Sequence, residues 1–509
     1  MWPETSPRSG AVVTATRHQV PTPIRRRIER AFTRNQALLE AGIGDRWIPN
    51  LASVLLAGSL IYLSLARVEG LRSGSDLAGY TQSVWLISEG QVSEPTLFGS
   101  SIHVLELHWS FVLYPLGLLA SFFPIAKMLV VVQSLALGFG VVPLWKLARN
   151  VAKLRIGAAS ALIVAYGLHP TTHHLGLDDF HPLSLAIPGL IGMAYFGATG
   201  RKRWFWFCVI YVLVCRADLG LAVAVWGMIV TAQSDRRMGI LTVGFGLVWS
   251  LGFLLVVQPI MGQPGAEGGY AGQSLGEVFL VALREPSSVL SNLAAQQNIA
   301  LLIGLLAPLI FLPLLSLRHL SAGLLVATLS LVSEVPEQIS ISERSGVLLA
   351  FSFIASTYAL RRLGNVGVDR VFIDARLLTA LSAAAVLLFC SSSLASPYEE
   401  PWRWSEIDQR EAAILDAASR VQPGAAVRAS SSALTLLAER SSVFEVEVSD
   451  GLSVTQTASP DSLDAVLLVD ADLPEQTEEQ RNSFEEGMKS LGFVLQVDDN
   501  KNGVHLYVR

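Results

Sequence analysis

Apolar stretches of membrane-spanning length recur from Trp47 to Leu394, and they constrain the fold more than any other feature of this sequence. A helix needs about 20 mainly apolar residues to cross a bilayer core. Its backbone groups must then bond within the helix, because lipid offers them no partner. The chain of 509 residues is 51% hydrophobic and only 16% charged, whereas a soluble domain carries about 25% charged residues. A polytopic α-helical membrane protein is therefore expected, and no nucleic-acid partner. Cys208, Cys215 and Cys390 fall in apolar segments, where they pack as small hydrophobes rather than as a disulfide framework.

The basic residues set the topology. Residues 1–46 are polar and proline-containing, with Arg25, Arg26, Arg27, Arg30 and Arg34, and read as a mostly disordered cytoplasmic tail. The positive-inside rule then places the first span, roughly Trp47–Leu65, with its far end outside. It opens into a long outer loop, residues 66–126, whose polar core runs from Arg72 to Pro124. The stretch His108–Phe122 is short for a span and contains Pro115. If it crossed, Lys146, Arg149, Lys153 and Arg155 would lie outside. Two juxtamembrane helices in this loop, near Asp76–Ser88 and His108–Phe122, keep that cluster inside. Downstream, the same scheme puts Arg201–Arg203, Arg236–Arg237, Arg318 and Arg361–Arg362 inside, with expected spans that include Ile299–Leu315 and Leu320–Val332. It delivers HPTTHHLGLDDFHP as an outer loop. About eleven spans result, in a membrane domain over residues 47–395 with the N-terminus cytoplasmic.

From residue 396 to 509 the composition becomes that of a soluble domain. A helix is expected over Trp404–Val421 and another over Glu475–Leu491. Short apolar runs (AAVRAS, SSVFEV, DAVLLVD) and a hairpin turning at Asn502-Gly503 supply strands. This small α/β domain lies outside the membrane under the same topology. It lacks a phosphate-binding glycine loop, so an accessory or recognition role is expected of it.

Polar chemistry collects on the outer side. Asp76 suits a general base, since partial desolvation raises a carboxylate pKa toward a useful range; capping the helix DLAGYTQSVWLI is the alternative. Gln82, Trp85 and Trp109 suit sugar binding by hydrogen bonding and stacking, and Glu106 and His108 sit beside them in sequence. HHLGLDDFHP holds two carboxylates and three histidines. Asp178, Asp179 and His181 there suit a divalent cation such as Mg or Mn, or a phosphate or sugar hydroxyls. Alternatively, Asp179 caps the next helix with Pro182 in its first turn. Arg216 and Asp218, two apart between apolar segments, read as a span-end turn with no obligatory pairing.

The residues Asp76-Leu77 with Gln82 and Trp85, His108-Trp109-Ser110, Asp179-Phe180-His181-Pro182 and Asp218-Leu219-Gly220 resemble a bacterial family of predicted membrane proteins classed as a domain of unknown function, DUF2079. The likeness runs from about Leu51 to the C-terminus. More broadly, the pattern resembles the GT-C membrane glycosyltransferases, which move a sugar from a polyprenyl-phosphate carrier to an acceptor on the outer face. That resemblance implies Asp76 as base, Asp178 and Asp179 on a cation or the acceptor, and Arg216 or Arg344 on the lipid-linked phosphate. Two departures are Ala217, where an acidic residue is expected, and Glu343-Arg344, where an His-Tyr pair is expected. The implied partners are a polyprenyl-phosphate-linked sugar, an envelope glycan or lipid acceptor, and membrane lipids of the cell membrane. A transporter or flippase, and a non-catalytic envelope assembly protein, are the other readings.

Overall fold

A computed structural model describes residues 39–98, 102–257, 260, 295–332, 341–367, 369–446, 463–474 and 478–509. The chain forms two compact units, Met1–Trp47 and Ile48–Arg509. Of the first, residues 1–38 lie outside the description, including the arginine-rich tail. The second holds the site and the sheet.

Helix α1 (Gly44–Glu69) is the first long apolar helix. The chain turns at Leu71, a left-handed residue, into α2 (Ser75–Ser88). Two short helices follow, α3 (Val104–His108) and α4 (Leu113–Ala120). The helix expected over His108–Phe122 is thus broken, because Trp109 adopts a left-handed conformation (φ 52°) that ends α3. Then come α5 (Ile125–Val151), α6 (Ile156–Gly167), α7 (Pro170–Leu177), α8 (Pro182–Ala198), α9 (Lys202–Cys215), α10 (Leu219–Gln233) and α11 (Arg236–Val257). Beyond residue 294 lie α12 (Gln296–Leu306), α13 (Leu317–Val332), α14 (Ile341–Leu363), a small hairpin of β1 (Asn365–Val366) and β2 (Val371–Phe372), and α15 (Ala375–Ser392).

Five described helices are long and apolar enough to cross a membrane, namely α1, α5, α11, the Ser345–Leu363 part of α14, and Ala375–Glu399. A bent pair, Asn298–Leu309 with Leu312–Thr328, makes a sixth if its halves count as one span. Its 85° bend falls inside the stretch expected to cross as Ile299–Leu315. Left-handed Ile310 and Phe311 (φ 46° and 57°) turn the chain there. Helices α6, α8 and α10 are apolar but only 12, 17 and 15 residues long; the expected total of about eleven includes them.

The basic connectors meet at one end of the bundle. The Arg361 guanidinium donates to the Val151 carbonyl (3.0 Å), Arg362 to Leu315 (2.8 Å) and Arg370 to Arg149 (2.6 Å). At the other end, where α1 finishes and α5 begins, Lys127 pairs with Glu69 at 2.7 Å.

The C-terminal sheet domain contains α16 (Gln409–Ser419), β3 (Val427–Ala429), α17 (Ser431–Leu437), β4 (Val443–Glu445), β5 (Ala465–Val469), α18 (Glu478–Ser490), β6 (Val494–Asp499) and β7 (Val504–Val508). Helix α16 begins at Gln409 rather than Trp404 because Asp408 and Glu411 form a capping box. The strand order is β4-β3-β5-β7-β6, parallel across β4-β3-β5 and antiparallel through β7 and β6. Gly503 takes a positive φ of 66° in the β6–β7 turn. One apolar core of this domain includes Val427, Leu434, Leu467 and Leu506 together with Leu71 and Ala78 from the α1–α2 region. The sheet domain is therefore packed into the long first loop.

Candidate active site

Asp76 lies half-buried in the first turn of α2. The helix begins at an extended N-cap, Gly74, with no side-chain cap, so Asp76 is not the cap. Asp179 holds the turn instead. Its Oδ1 accepts the Gly74 N–H at 2.8 Å. Glycine is needed for this approach, since a Cβ at position 74 would sit 2.5 Å from Asp179 Oδ2. Asp179 is only 8% exposed. Burial raises its pKa above the ordinary carboxylate range, against the opposing pull of nearby backbone N–H dipoles and His181.

The turn between α7 and α8 presents Asp179. Gln133 of α5 fixes it, donating Nε2 to the Asp179 carbonyl (3.0 Å) and accepting the His181 N–H at Oε1 (2.9 Å). Phe180 meets Tyr80 of α2 edge-on at 5.4 Å, and Tyr80 meets Phe98 at 5.1 Å. His181 is the N-cap of α8 and Pro182 follows it. The cap expected of Asp179 is thus taken by its neighbour, and the carboxylate is turned toward α2. The preceding segment is not the polar loop expected either. It forms α7, with His169, Thr172 and His173 buried. Burial pushes the imidazoles of His169 and His173 down to about 4, so both are neutral near pH 7.

Asp178 is half-buried, and with Asp179 it faces the guanidinium of Arg67 in the last turn of α1. Arg67 donates to the Arg72 carbonyl (2.9 Å) and lies over the Trp404 ring at 5.2 Å. Neither Arg67 nor Gln133 was singled out from sequence. The available signal was a polar residue at the end of, or within, an otherwise apolar span.

The sheet domain closes the other side. Glu445, last residue of β4, is half-buried and lies within electrostatic reach of Asp472 and Asp179. Burial raises its pKa, with Asp472 and Asp179 adding to the rise. Ser73 and Thr435 share a hydroxyl hydrogen bond at 2.9 Å. Asp472 accepts from the Ser432 N–H and Oγ at 2.9 and 2.7 Å.

Other residues chosen from sequence have different work. Gln82 is fully buried, and its Nε2 donates to Thr96 Oγ1 (3.0 Å) and the carbonyls of Arg440 (3.2 Å) and Ser441 (3.3 Å). Its Oε1 accepts the Leu97 N–H. That amide fastens the loop to the sheet domain and is not open to a sugar. Glu106 accepts the His103 N–H in a capping box. Trp85 is half-buried against the main apolar core. The side chains of His108 and Arg344 lie outside the described residues.

Arg216 and Asp218 form a second group, and they do pair. Nε meets Oδ1 at 3.0 Å and an Nη meets Oδ2 at 3.1 Å, a bidentate fork. The last turn of α9 just before them is tied to the turn after α3, with the Val112 N–H donating to the Val214 carbonyl at 3.2 Å. There Trp109 packs on Trp249 at 4.8 Å and stacks on Phe253 at 5.6 Å.

The donor set does not suit a divalent cation at Asp178, Asp179 and His181. Asp179 is engaged by the Gly74 N–H, and Arg67 supplies positive charge beside both carboxylates. Among the described residues no three His, Cys, Asp or Glu side chains converge as metal ligands.

A family model described as predicted membrane protein, DUF2079, matches residues 67–506. The chain belongs to that family. No curated protein matches it. Among solved structures it is similar to the crystal structure of ArnT from Cupriavidus metallidurans bound to undecaprenyl phosphate, at 12% identity and a TM-score of 0.51 over 90% of this chain and 97% of that one. The apo crystal structure of ArnT from the same organism gives 12% identity and a TM-score of 0.48 over 89% and 97%. The cryo-EM structure of the arabinofuranosyltransferase AftD from Mycobacteria gives 13% and 0.44, over 90% of this chain and 39% of that one. The likeness to the bound ArnT structure is one of fold and covers nearly the whole chain; fold alone does not carry function.

Proposed function

We propose that this protein is a membrane glycosyltransferase of GT-C type, transferring a sugar from a polyprenyl-phosphate donor to an envelope glycan or lipid acceptor at the outer face of the cell membrane. In this reading residues 1–46 are a cytoplasmic tail, 47–395 the membrane domain and 396–509 an extracytoplasmic domain. The carrying observation is Asp76 itself. It is a half-buried carboxylate in the first turn of α2, a turn held by Asp179, on a GT-C-like fold. Asp76 takes the proton of an acceptor hydroxyl as that oxygen attacks the anomeric carbon. The bond from that carbon to the carrier phosphate breaks, and the polyprenyl phosphate leaves. Undecaprenyl phosphate bound to ArnT supports a carrier of this class. Arg67 and Arg216 are the described cations from which phosphate contacts are drawn.

The test is complementation of a deletion strain. Loss of the protein is expected to accumulate a lipid-linked sugar and deplete one glycan. Asp76→Asn, inserted and folded as wild type, is expected to leave both defects in place. Full restoration by that variant would remove Asp76 from the chemistry. The bent pair Asn298–Leu309 and Leu312–Thr328 favours a second reading, movement of a lipid-linked precursor across the membrane, because broken helices mark transport sites. In that case the accumulated lipid-linked sugar would be trapped in the inner leaflet.

A further inference from the structure

The connector between α14 and α15 carries more charge than its own contacts consume. Helix α14 ends on Arg361, Arg362 and Leu363, and the chain turns at Gly364, where a Cβ would collide with the Val371 side chain. Strands β1 and β2 follow, and Val371 ties them to the connector after α5. Its N–H donates to the Lys153 carbonyl at 2.8 Å, and its carbonyl accepts the Arg155 N–H at 3.3 Å. Arg361, Arg362 and Arg370 each give one Nη to a backbone carbonyl, those of Val151, Leu315 and Arg149. A carbonyl orients a guanidinium but has no charge to cancel it, and each guanidinium has further N–H donors. Among the described residues none of these three arginines forms an ion pair. Asp374 is spent on capping α15, accepting the Arg376 N–H at 2.8 Å, and exposed Asp369 is the one other acid between Arg361 and Arg376. Apolar side chains flank the cations. Val366 is 82% exposed, Leu363 51% and Phe372 46%, and the Arg155 guanidinium lies over the Phe372 ring at 4.6 Å.

We propose that the β1–β2 hairpin and the α5–α6 connector form a docking surface for anionic phospholipid, on the leaflet that the positive-inside rule makes cytoplasmic. Both flanking helices are apolar enough to span, so the hairpin joins them at a membrane boundary. Water would solvate the arginines there but not Val366 and Leu363. The boundary between headgroups and acyl chains satisfies both. Arg361, Arg362 and Arg370 take the phosphate, while Val366, Leu363 and Phe372 meet the acyl region. An anionic headgroup supplies the charge that the backbone carbonyls lack, whereas a zwitterionic one brings its own cation. The proposal is independent of Asp76 and of sugar transfer.

The experiment titrates full-length protein in neutral detergent with fluorescent phosphatidylglycerol and, separately, phosphatidylcholine, and reads the ratio of the two dissociation constants. Wild type is expected to favour phosphatidylglycerol about tenfold or more, since each basic side chain near a headgroup contributes. High salt should erode that preference. Arg361→Gln combined with Arg370→Gln is expected to bring the ratio near unity, and the corresponding Lys pair to keep most of it. A ratio taken within one protein cancels the general loosening that a lost carbonyl bond alone would cause. Should the Gln pair fail to fold, Val366→Glu changes an exposed side chain and sets a negative charge in the patch, with the same expected loss. Lys127→Gln, at the opposite end of the bundle, is expected to leave the ratio unchanged. Equal wild-type affinities for the two lipids overturn the proposal, as does an unchanged ratio in the folded arginine variant or an equal loss in Lys127→Gln. Full displacement of phosphatidylglycerol by inorganic phosphate at constant ionic strength also overturns it, because the surface would then take a soluble anion.

Discussion

At the level of single residues, the close contact between Gly74 and Asp179 constrains the turn before Asp76. Gly74→Ala places a methyl 2.5 Å from Asp179 Oδ2, so the 2.8 Å hydrogen bond must lengthen or break. The expected cost is about 1.5–3 kcal/mol, that of a hydrogen bond to a charged group. A lowered melting temperature together with lost complementation would report it. The pH dependence follows from the buried carboxylates. Burial raises both Glu445 and Asp179; Asp472 and Asp179 face Glu445, while Asp178 and His181 bear on Asp179 in opposite senses. A carboxyl raised in the folded state contributes stability that is fully present below its unfolded pKa and is lost as pH rises through the folded value. This part of the folded state's stability is therefore expected to grow as pH falls toward the ordinary carboxylate range. The melting temperature should respond less to that change in Glu445→Gln than in wild type, and equal responses would refute the account. At the second group, Arg216→Met alone leaves Asp218 without its fork and is expected to cost about 3 kcal/mol. The double variant with Asp218→Leu should cost less than the sum of the single changes, as thermal unfolding of the four proteins would show.

At the scale of elements, α2 is fastened to the sheet domain beside the candidate site. Helix α2 is buried on most of its surface, from Leu77 through Val84, and Gln82 is its polar link to the sheet domain. Gln82→Leu is expected to leave the Leu97 N–H and the carbonyls of Arg440 and Ser441 without their partner, at about 1–3 kcal/mol per buried group. Limited proteolysis between the loop and the sheet domain should quicken in that variant. A helix over Asp76–Ser88 was legible from sequence because its N-terminal boundary and apolar content are local. The break at Trp109 was not. It requires a left-handed non-glycine residue whose ring packs on Trp249 and Phe253, and those partners lie far along the chain. The bend at Ile310 and Phe311 was missed for a similar reason: the apolar run continues through it, and hydropathy does not register a change of direction.

At the scale of the whole molecule, the membrane part and the sheet domain share a core. Leu71, Ala78 and Leu97 of the long loop pack with Val427, Leu434 and Leu467. A protein truncated after Ser392 is expected to expose that apolar surface and to fall in abundance and melting temperature, and residues 396–509 expressed alone are expected to aggregate. A truncated protein that accumulates at wild-type levels and melts at the same temperature would contradict this.

The sequence by itself determined the class, the order of most helices and the sheet domain, because apolar runs and turn residues act over short distances. Only the tertiary structure decided what each polar group does. Asp179 binds the start of α2 instead of capping α8, Gln82 and Glu106 are consumed by structural hydrogen bonds, and Arg216 is held by Asp218. Arg67 and Gln133 join the candidate site from a span end and a span interior. A polar side chain's role is fixed by the partner that satisfies it when water is excluded, and here that partner is often a hundred or more residues away.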